Sequence, residues 1–555
     1  MKRRKGSSSL KGENLSRREF LRLSALLGTG AALSACGPTP APTPVSPEPT
    51  ATLMPPEATA TPVPPEPTPT PAPTAMPTPV GPTGTLIWGQ AGGVDSMDPY
   101  FGIGHEAHGV HRSIGEALVN RFGVPLLAES WEIPDELTWR FHLRKGVKFH
   151  SGNDFTAEAV KHAFERFTDP DQPARWATDL RDVDHVEVVD DYTIDFKTKV
   201  PFATLYSVLY NVLVLDPEVV ESLGENLASS LEGAGTGPFK FVEWVPGERA
   251  VMEANEEYWG GVPKLKTVIY RPIPEPSVRV TEVKTGGVHI AIHVPPQSIP
   301  EVEEAPGVHI ETVESIGHYE ITYNIHKPPF NDARVRLALN YAINREELIE
   351  FVLFGIGKVP NGPLSPPYEG HNPDLEPWPY DPDKAKELLA EAGYADGLDI
   401  TIISPSGRHL QDKELAEAIA GQLSKVGVNM TVKALEWVTY LKTYNQEGHG
   451  FLILATVWPT HAFLTRHFDS RRQDFVWYGY HNEQVNELLD RAAATFDDAE
   501  RIKIWQEVDK IGREEAIFLD IADMMEVSGV SDKVEGFEPP PDDVYTTNHT
   551  MALKA

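Results

Sequence analysis

The chain has 555 residues, of which 81 are acidic and 49 are basic, so its formal net charge is −32. This balance excludes proteins that bind nucleic acid or anionic lipid through a basic surface, because phosphates require clustered lysine and arginine. A single cysteine, Cys36, excludes an intramolecular disulfide, so apolar burial, with 11 tryptophans, 22 phenylalanines and 17 tyrosines, must stabilise the fold.

The first 36 residues predict an export signal. A basic stretch, an apolar run over 23–35 and small residues before Cys36 follow one another as they do in such signals. The run is shorter than the roughly 20 residues that span a bilayer. Leu33–Cys36 resembles the lipobox of bacterial lipoproteins, and Arg17 and Arg18 lie in a motif that resembles the twin-arginine signal. We therefore expect a lipid anchor at Cys36 and a location outside the cytoplasm, in the periplasm or on the outer face of the cell membrane. Export by the general secretory route stays open.

A proline-rich and threonine-rich segment follows the signal. Residues 37–84 contain 18 prolines and neither lysine nor arginine, a composition that cannot bury enough apolar surface to fold. We expect a disordered tether that is partly polyproline-like. The remaining residues are too many for one small domain and contain no apolar run long enough to cross a membrane.

From residue 85 onward, the pattern predicts a mixed α/β protein with parallel strand pairs, because strands and helices alternate. The predicted strands are Leu86–Trp88, Trp139–Leu143, Leu398–Ile403, Val428–Leu435, Phe451–Val457, Ala516–Ile521 and Met525–Val530. Four predicted helices begin after caps at Thr156, Asp332, Asn344 and Asp381. Four more are predicted over Lys413–Val426, Val438–Tyr444, 482–495 and 498–513.

Several sequence blocks occur in the order and spacing of family 5 extracellular solute-binding proteins, the peptide-type and nickel-type receptors of ABC importers. The blocks are Ser96–Pro99, Trp131, Thr138–Gly152, Gly235–Phe239, Asn255–Trp259, Pro329–Leu339, Ala342–Arg345 and Lys386–Tyr394. The chain resembles this family over almost all of residues 85–555.

The resemblance implies an α/β, two-lobed fold like that of periplasmic binding proteins, with parallel and mixed sheets flanked by helices and an extra domain inserted in lobe I. The implied boundaries are 85–120, 235–314 and 521–555 for lobe I, 121–234 for the insert and 315–520 for lobe II. The implied function is to capture a small solute, such as an oligopeptide or oligosaccharide, and to deliver it to an ABC permease with a cytoplasmic ATPase. We expect a monomer that contacts the membrane only through its lipid. There are two alternatives: a sensor that presents its ligand to a membrane partner, and a secreted hydrolase.

Catalytic and cofactor motifs are missing from the sequence. It has no Gly-x-Ser-x-Gly elbow, no His-Glu-x-x-His pair and no phosphate-binding glycine loop, so we expect neither an enzyme nor a cofactor. His105, His108 and His111 recur at three-residue spacing, which spreads them around a helix. Three histidines alone do not complete a metal site, so we expect no metal and interpret them as surface or hydrogen-bonded side chains.

One departure from the family bears on the ligand. In the family's peptide receptors, the tryptophan that matches Trp458 is followed by an aspartate that pairs with the peptide's amino terminus. Here no carboxylate follows Trp458 before Asp469. Because a buried ammonium without a carboxylate is costly, this favours a neutral ligand held by aromatic faces, such as an oligosaccharide, or a polar metabolite.

Six side chains are predicted to contact the ligand. Trp458 follows a strand whose carboxyl end faces the cleft, where open α/β sheets bind ligands. The alternative for this residue is packing in the core at the hinge. Family analogy adds loop aromatics near the first strand, with packing within the loop as the alternative. It also adds the residue that starts a later helix, with a hydrophobic staple as the alternative. The predicted ligand-binding residues are Trp458, Tyr100, Phe101, Trp437, His461 and Tyr319.

Overall fold

The structure is a computed structural model of the chain. It describes residues 81–102, 105–406, 411–435, 439–440, 443, 450–454, 458–471 and 479–554. Arg17, Arg18 and Cys36 of the predicted signal, the predicted tether to residue 80 and Trp437 lie outside the described residues. Among the described helices, none combines the length and apolarity needed to cross a membrane.

Sixteen strands are numbered here in chain order within the described residues. They are β1 Thr83–Gln90, β2 Ala128–Asp135, β3 Thr138–Leu143, β4 Val183–Asp190, β5 Thr193–Thr198, β6 Phe239–Val245, β7 Arg249–Ala254, β8 Leu265–Pro272, β9 Ile290–Ala291, β10 Val308–Tyr323, β11 Leu398–Pro405, β12 Val428–Leu435, β13 Gly450–Leu454, β14 Phe518–Ser531, β15 Val534–Glu535 and β16 Ala552–Leu553.

The α-helices whose two ends both fall within the described residues are numbered in the same way. They are α1 His105–Ile114, α2 Ala157–Phe167, α3 Tyr206–Leu209, α4 Pro217–Leu223, α5 Pro276–Thr285, α6 Ile299–Glu303, α7 Ala333–Tyr341, α8 Arg345–Phe351, α9 Pro382–Glu391, α10 Asp412–Ser424, α11 Thr460–Phe468, α12 Glu483–Ala494 and α13 Asp498–Glu514.

A ten-stranded sheet runs through the protein in the order β12-β11-β13-β10-β14-β9-β1-β8-β7-β6. The pairs β1–β8, β1–β9, β11–β12 and β11–β13 are parallel, as the alternation of strands and helices predicts. A separate four-stranded antiparallel sheet, β2-β3-β5-β4, lies within the predicted insert. Helices pack on the sheets and close cores that are rich in aromatic side chains.

Local signals set several helix boundaries. The side chain of Asp381 accepts a hydrogen bond from the Lys384 N–H, and Pro382 occupies the first turn, which stabilises the start of α9. Asp332 and Asn344 cap α7 and α8 in the same way. Helix α2 begins at Ala157 as expected, but the Thr156 side chain forms no capping hydrogen bond.

The last strands differ from the prediction. The sequence predicts two separate strands over 516–521 and 525–530, whereas the structure has one continuous strand, β14. Asp520 and Asp523 interrupt the apolar pattern, yet both carboxyl groups are buried within the strand. β14 pairs with β10, and irregularities between Glu314 and His318 and between Tyr319 and Glu320 absorb the change in register.

The C-terminal segment returns to the core beside β1. The Trp88 indole N–H donates to the Thr547 hydroxyl at 2.9 Å, and Tyr545 is 2% exposed among the residues that surround β1 and β8. The backbone of Tyr545 lies so close to α1 that a Cβ atom on Gly109 would be 2.4 Å from its carbonyl oxygen. The two ends of the described chain therefore share one core.

Strands β10 and β14 carry buried ionisable groups where the predicted lobes join. Nε2 of His318 lies 2.6 Å from Oε2 of Glu320, and both side chains are at most 2% exposed. Burial lowers the pKa of His318, but the Glu320 charge outweighs it and raises the value to about 9. Burial raises the pKa of Asp520 to about 6 and that of Asp523 to about 7.

Asp523→Asn is expected to become more stable relative to the wild type as pH rises from about 4 to about 8. The folded protein holds a proton on Asp523 that the unfolded chain releases near the usual aspartate pKa of 3.8, so this group's contribution to stability falls with rising pH. The relative change should reach on the order of a few kcal/mol. Urea unfolding at several pH values measures it. Asp383→Asn is the control, because the Asp383 side chain is 95% exposed and its partner is a lysine, and its difference should change much less with pH. A constant difference for Asp523→Asn would contradict the expectation.

Candidate ligand pocket

A pocket opens between residues of the predicted insert and residues of the predicted lobe II. It contains about 390 Å³ of space, including solvent at its mouth. Both halves contribute aromatic, charged and hydroxyl side chains to the wall. The lining residues are Arg121, Phe122, Ser207, Ile316, Pro367, Tyr368, Glu369, Trp458, Pro459, Thr460, His461 and Trp505.

Two of the predicted ligand-binding residues, Trp458 and His461, line this pocket. Trp458 is half-buried just before α11, and its ring lies 6.3 Å from that of Trp176. The His461 ring lies 5.1 Å from that of Phe202. Burial lowers the pKa of His461 to about 4, so this imidazole is neutral near pH 7. Both residues can offer a ring face or a neutral hydrogen-bonding group to a solute.

Three other predicted residues lie outside the pocket wall. Tyr100 is 3% exposed and its hydroxyl donates to the Leu213 carbonyl at 2.8 Å, while burial raises its pKa. Phe101 packs against the same core, and Tyr319 is buried on β10. In this structure they contribute to packing, and their contact with a ligand stays a prediction. Trp437 lies outside the described residues.

A buried ion pair that the sequence did not predict joins the two halves next to the pocket. Arg466 on α11 pairs with Asp179 of the predicted insert, and the two side chains are 6% and 8% exposed. The Arg466 guanidinium carbon lies 4.7 Å from the Trp458 ring centroid and 5.2 Å from that of Trp176. The only signal in the sequence was a single arginine in a short helix that has no other lysine, arginine or acidic residue. The pair holds the two halves together at this point.

Charged side chains also stand at the pocket wall. Nη1 of Arg121 lies 3.0 Å from Oδ2 of Asp542, and this arginine is 8% exposed. Glu369, in the loop between α8 and α9, supplies an exposed carboxylate. Asp469, the first carboxylate after Trp458 in the sequence, is not part of the pocket wall. It pairs with Arg471 at 2.8 Å. A carboxylate is therefore available to a cationic group, although it does not follow Trp458 in the sequence.

The three histidines of α1 have different surroundings. His111 is 1% exposed and its Nε2 lies 2.8 Å from the Ser96 carbonyl oxygen, while burial lowers its pKa to about 4. His108 is partly buried, and burial lowers its pKa as well. Ring centroids are 6.1 Å apart for His105 and His108 and 6.5 Å apart for His108 and His111. His105 contacts Asp543 instead.

Residues 123–474 match the sequence profile described as bacterial extracellular solute-binding proteins, family 5 middle. The chain belongs to this family. A family 5 relative, the glutathione-binding protein GsiB of Pectobacterium atrosepticum, is 30% identical over 476 residues, which cover 81% of this chain and 91% of the relative. The resemblance inferred from the sequence blocks is thereby confirmed.

Solved structures support the same fold. The ABC transporter-associated periplasmic binding protein DppA from Helicobacter pylori, in complex with the peptide STSA, is 27% identical and has a TM-score of 0.74 over 85% of this chain and 98% of its own. AgaA from A. tumefaciens R10, in complex with agropinic acid, is 25% identical, also with a TM-score of 0.74, over 85% and 99%. The predicted two-lobed α/β fold is confirmed.

Membership in family 5 also decides between the predicted classes of function. The members are extracellular solute-binding proteins, so this chain is a solute-binding protein of a transport system rather than an enzyme. It acts outside the cytoplasm. The expectation of a binding protein is confirmed, and the alternative of a secreted hydrolase is not supported.

Asp179→Asn is expected to lower the free energy of unfolding by about 3 kcal/mol, because it leaves the buried Arg466 guanidinium without its opposite charge. Urea denaturation at pH 7 measures the difference. Asp184→Asn is the matched control, since Asp184 is 56% exposed and pairs with His185 on the surface. Equal stabilities of the two variants would show that the Arg466–Asp179 pair contributes no more than a surface ion pair.

Proposed function

We propose that the protein captures a small peptide-like solute between its two lobes and delivers it to an ABC permease. The pocket at Trp458 carries the proposal, because its wall combines aromatic faces with both signs of charge. The exposed carboxylate of Glu369 suits the ammonium of a zwitterionic solute, and Arg121, although paired with Asp542, adds positive charge to the same wall. The named ligands of the relatives, glutathione and the peptide STSA, are compatible with such a wall.

A neutral oligosaccharide is the second candidate. Trp458 is half-buried at the pocket wall and offers an apolar ring face on which a sugar could stack, while Trp505 and Tyr368 pack behind it in the core. The absence of a carboxylate directly after Trp458 first suggested this ligand class. Glu369 now supplies a carboxylate from another loop, and for this reason we place the peptide-like solute first.

Closure of the lobes is the proposed mechanism of capture. We assign lobe I to 85–120, 235–314 and 521–555, the insert to 121–234 and lobe II to 315–520. Both lobe boundaries fall inside strands, at 314/315 in β10 and at 520/521 in β14, so small backbone changes in one strand pair could change the angle between lobes. One pocket wall belongs to lobe II and the other to the insert within lobe I. A solute that contacts both walls binds the closed state more tightly and shifts the equilibrium towards that state.

A peptide-like solute is expected to raise the melting temperature of the whole chain, and an oligosaccharide is not. Binding to the folded state adds about 2.7 kcal/mol of stability at a hundredfold excess over Kd. A thermal-shift series with glutathione, tetrapeptides, opines and oligosaccharides measures it. A shift with oligosaccharides alone would overturn the peptide assignment in favour of the second candidate. Uptake of the labelled solute by cells lacking this chain then separates an importer from a ligand-presenting sensor.

Trp458→Ala is expected to weaken binding of the solute that gives the shift by more than about 1 kcal/mol, because a large ring face leaves the pocket wall. Isothermal titration calorimetry measures the affinity. Phe351→Ala serves as a control, since Phe351 is 52% exposed and is not part of the pocket wall. Unchanged affinity of Trp458→Ala would assign Trp458 to packing against Trp176.

The lipid anchor and the route of export are further parts of the proposal. Cys36 after its apolar run supports anchoring, and Arg17 and Arg18 support the twin-arginine route. The predicted tether, 37–84, would end two residues earlier than expected, because Thr83 and Gly84 already belong to β1. The residues before Thr83 would serve as the tether of a monomeric receptor. Cys36→Ser is expected to move the protein from the membrane fraction to the soluble fraction, as measured by fractionation and immunoblotting. Retention of this variant in membranes would contradict the lipid anchor.

A further inference from the structure

Three side chains from distant parts of the sequence form a cluster near the end of β9. His293 follows this strand, Glu526 lies on β14 and Asp543 lies in the C-terminal segment. One ligand atom from each lies within 4.8 Å of the other two. Nε2 of His293 is 2.6 Å from Oδ1 of Asp543 and 3.5 Å from Oε2 of Glu526. We propose that these three side chains bind one divalent transition-metal ion of the class of Zn²⁺, Co²⁺ or Ni²⁺.

The donor types suit such an ion. An imidazole nitrogen and two carboxylate oxygens are common ligands of Zn²⁺, and three protein ligands leave a fourth position open. Ligand atoms around a tetrahedral Zn²⁺ at bond lengths of 2.0–2.1 Å lie about 3.3 Å apart. The 3.5 Å between Nε2 of His293 and Oε2 of Glu526 is already close to this value. The hydrogen-bonded contact of 2.6 Å between His293 and Asp543 would have to open by roughly 0.7 Å and release its proton to solvent to admit the ion.

A second layer of contacts orients two of the proposed ligands. Nδ1 of His105, at the start of α1, lies 3.1 Å from Oδ2 of Asp543, the oxygen that does not face His293. The Tyr545 hydroxyl donates to Oε2 of Glu526 at 3.3 Å. Hydrogen-bond partners of this kind fix the orientation of ligating carboxylates in metal sites. This layer distinguishes the cluster from an isolated ion pair.

Two of the three proposed ligands, His293 and Asp543, have an unusual backbone conformation. His293 has φ 52° and Asp543 has φ 57°, in the left-handed region that non-glycine residues seldom adopt. Only five non-glycine residues in the described chain have positive φ, and two of them belong to this cluster. Such conformations cost free energy and concentrate at functional sites, so they support a role for the cluster beyond packing.

The cluster is accessible, and one neighbouring residue connects it to the pocket wall. The side chains of His293 and Asp543 are 27% and 15% exposed, so an ion can enter and its fourth position can take water or a donor atom. Asp542, adjacent to Asp543, binds Arg121 of the pocket wall. Occupation of the site would tie the C-terminal segment to β9 and β14 and could thereby affect the wall that contains Arg121.

The test is a titration of the chelator-treated whole chain with Co²⁺, followed by visible absorption. One equivalent of Co²⁺ should produce the d–d bands of a low-coordinate nitrogen and oxygen site, Zn²⁺ should remove them, and excess Mg²⁺ should not. Asp543→Asn and His293→Gln should abolish the bands. His105→Gln should weaken Co²⁺ binding by about 10-fold to 100-fold, because His105 orients Asp543 without binding the ion.

His309→Gln is the matched control. His309 also lies between two carboxylates, with Nδ1 2.8 Å from Asp532 and Nε2 3.2 Å from Glu311, but on the surface. This variant should bind Co²⁺ as the wild type does. Absence of the bands in the wild type, or unchanged bands in both His293→Gln and Glu526→Gln, would overturn the proposal. Circular dichroism confirms that each variant is folded, and the result does not depend on which solute occupies the pocket.

Discussion

The antiparallel pairing of β10 with β14 is the interaction on which the rest of the structure depends. These two long strands lie at the centre of the ten-stranded sheet, and the strands of the two predicted lobes extend from opposite sides of the pair. The pair also buries His318, Glu320, Asp520 and Asp523. Buried ionisable groups offer little net stability compared with apolar packing, so their presence here suggests a different advantage. A central strand pair with polar interior contacts and register irregularities can be less rigid than the cores on either side.

The pocket wall and the contacts beside it reflect the same division of the molecule. Trp458, His461 and Arg466 come from α11 and the residues just before it, whereas Arg121, Trp176 and Asp179 come from the predicted insert. Aromatic faces and an ion pair meet where the two halves touch. Polar and aromatic contacts of this kind occur side by side at the junction of the two halves. The arrangement suits a receptor that must release its solute to a partner.

Much of the fold was predictable because local chemistry determines it. Asp381 and Pro382 specify the start of α9, and the alternation of strands and helices over 398–454 specifies parallel pairing. The continuity of β14 was not predictable, since a buried carboxyl group such as Asp523 resembles a turn residue in the sequence. Its environment comes from β10, which is far away along the chain.

The candidate site was less predictable for a related reason. Trp458 was identified because it follows a strand whose carboxyl end was expected to face the cleft, whereas His461 was predicted without a motif. Glu369 lies in a loop without any motif, so no local pattern could assign its carboxylate to the pocket.

The joining of the two ends of the described chain in one core has a consequence for biosynthesis. The Trp88 side chain on β1 has its hydrogen-bond partner at Thr547, which the ribosome adds 459 residues later. Lobe I therefore cannot complete its core until that late segment has been synthesised, although the four-stranded sheet of the insert has all its strands much earlier. Both strands that pair with β1 are synthesised by residue 291, but the Trp88 side chain stays without its late partner until the C-terminal segment arrives. During that interval an apolar surface of lobe I is exposed, and chaperones can bind it.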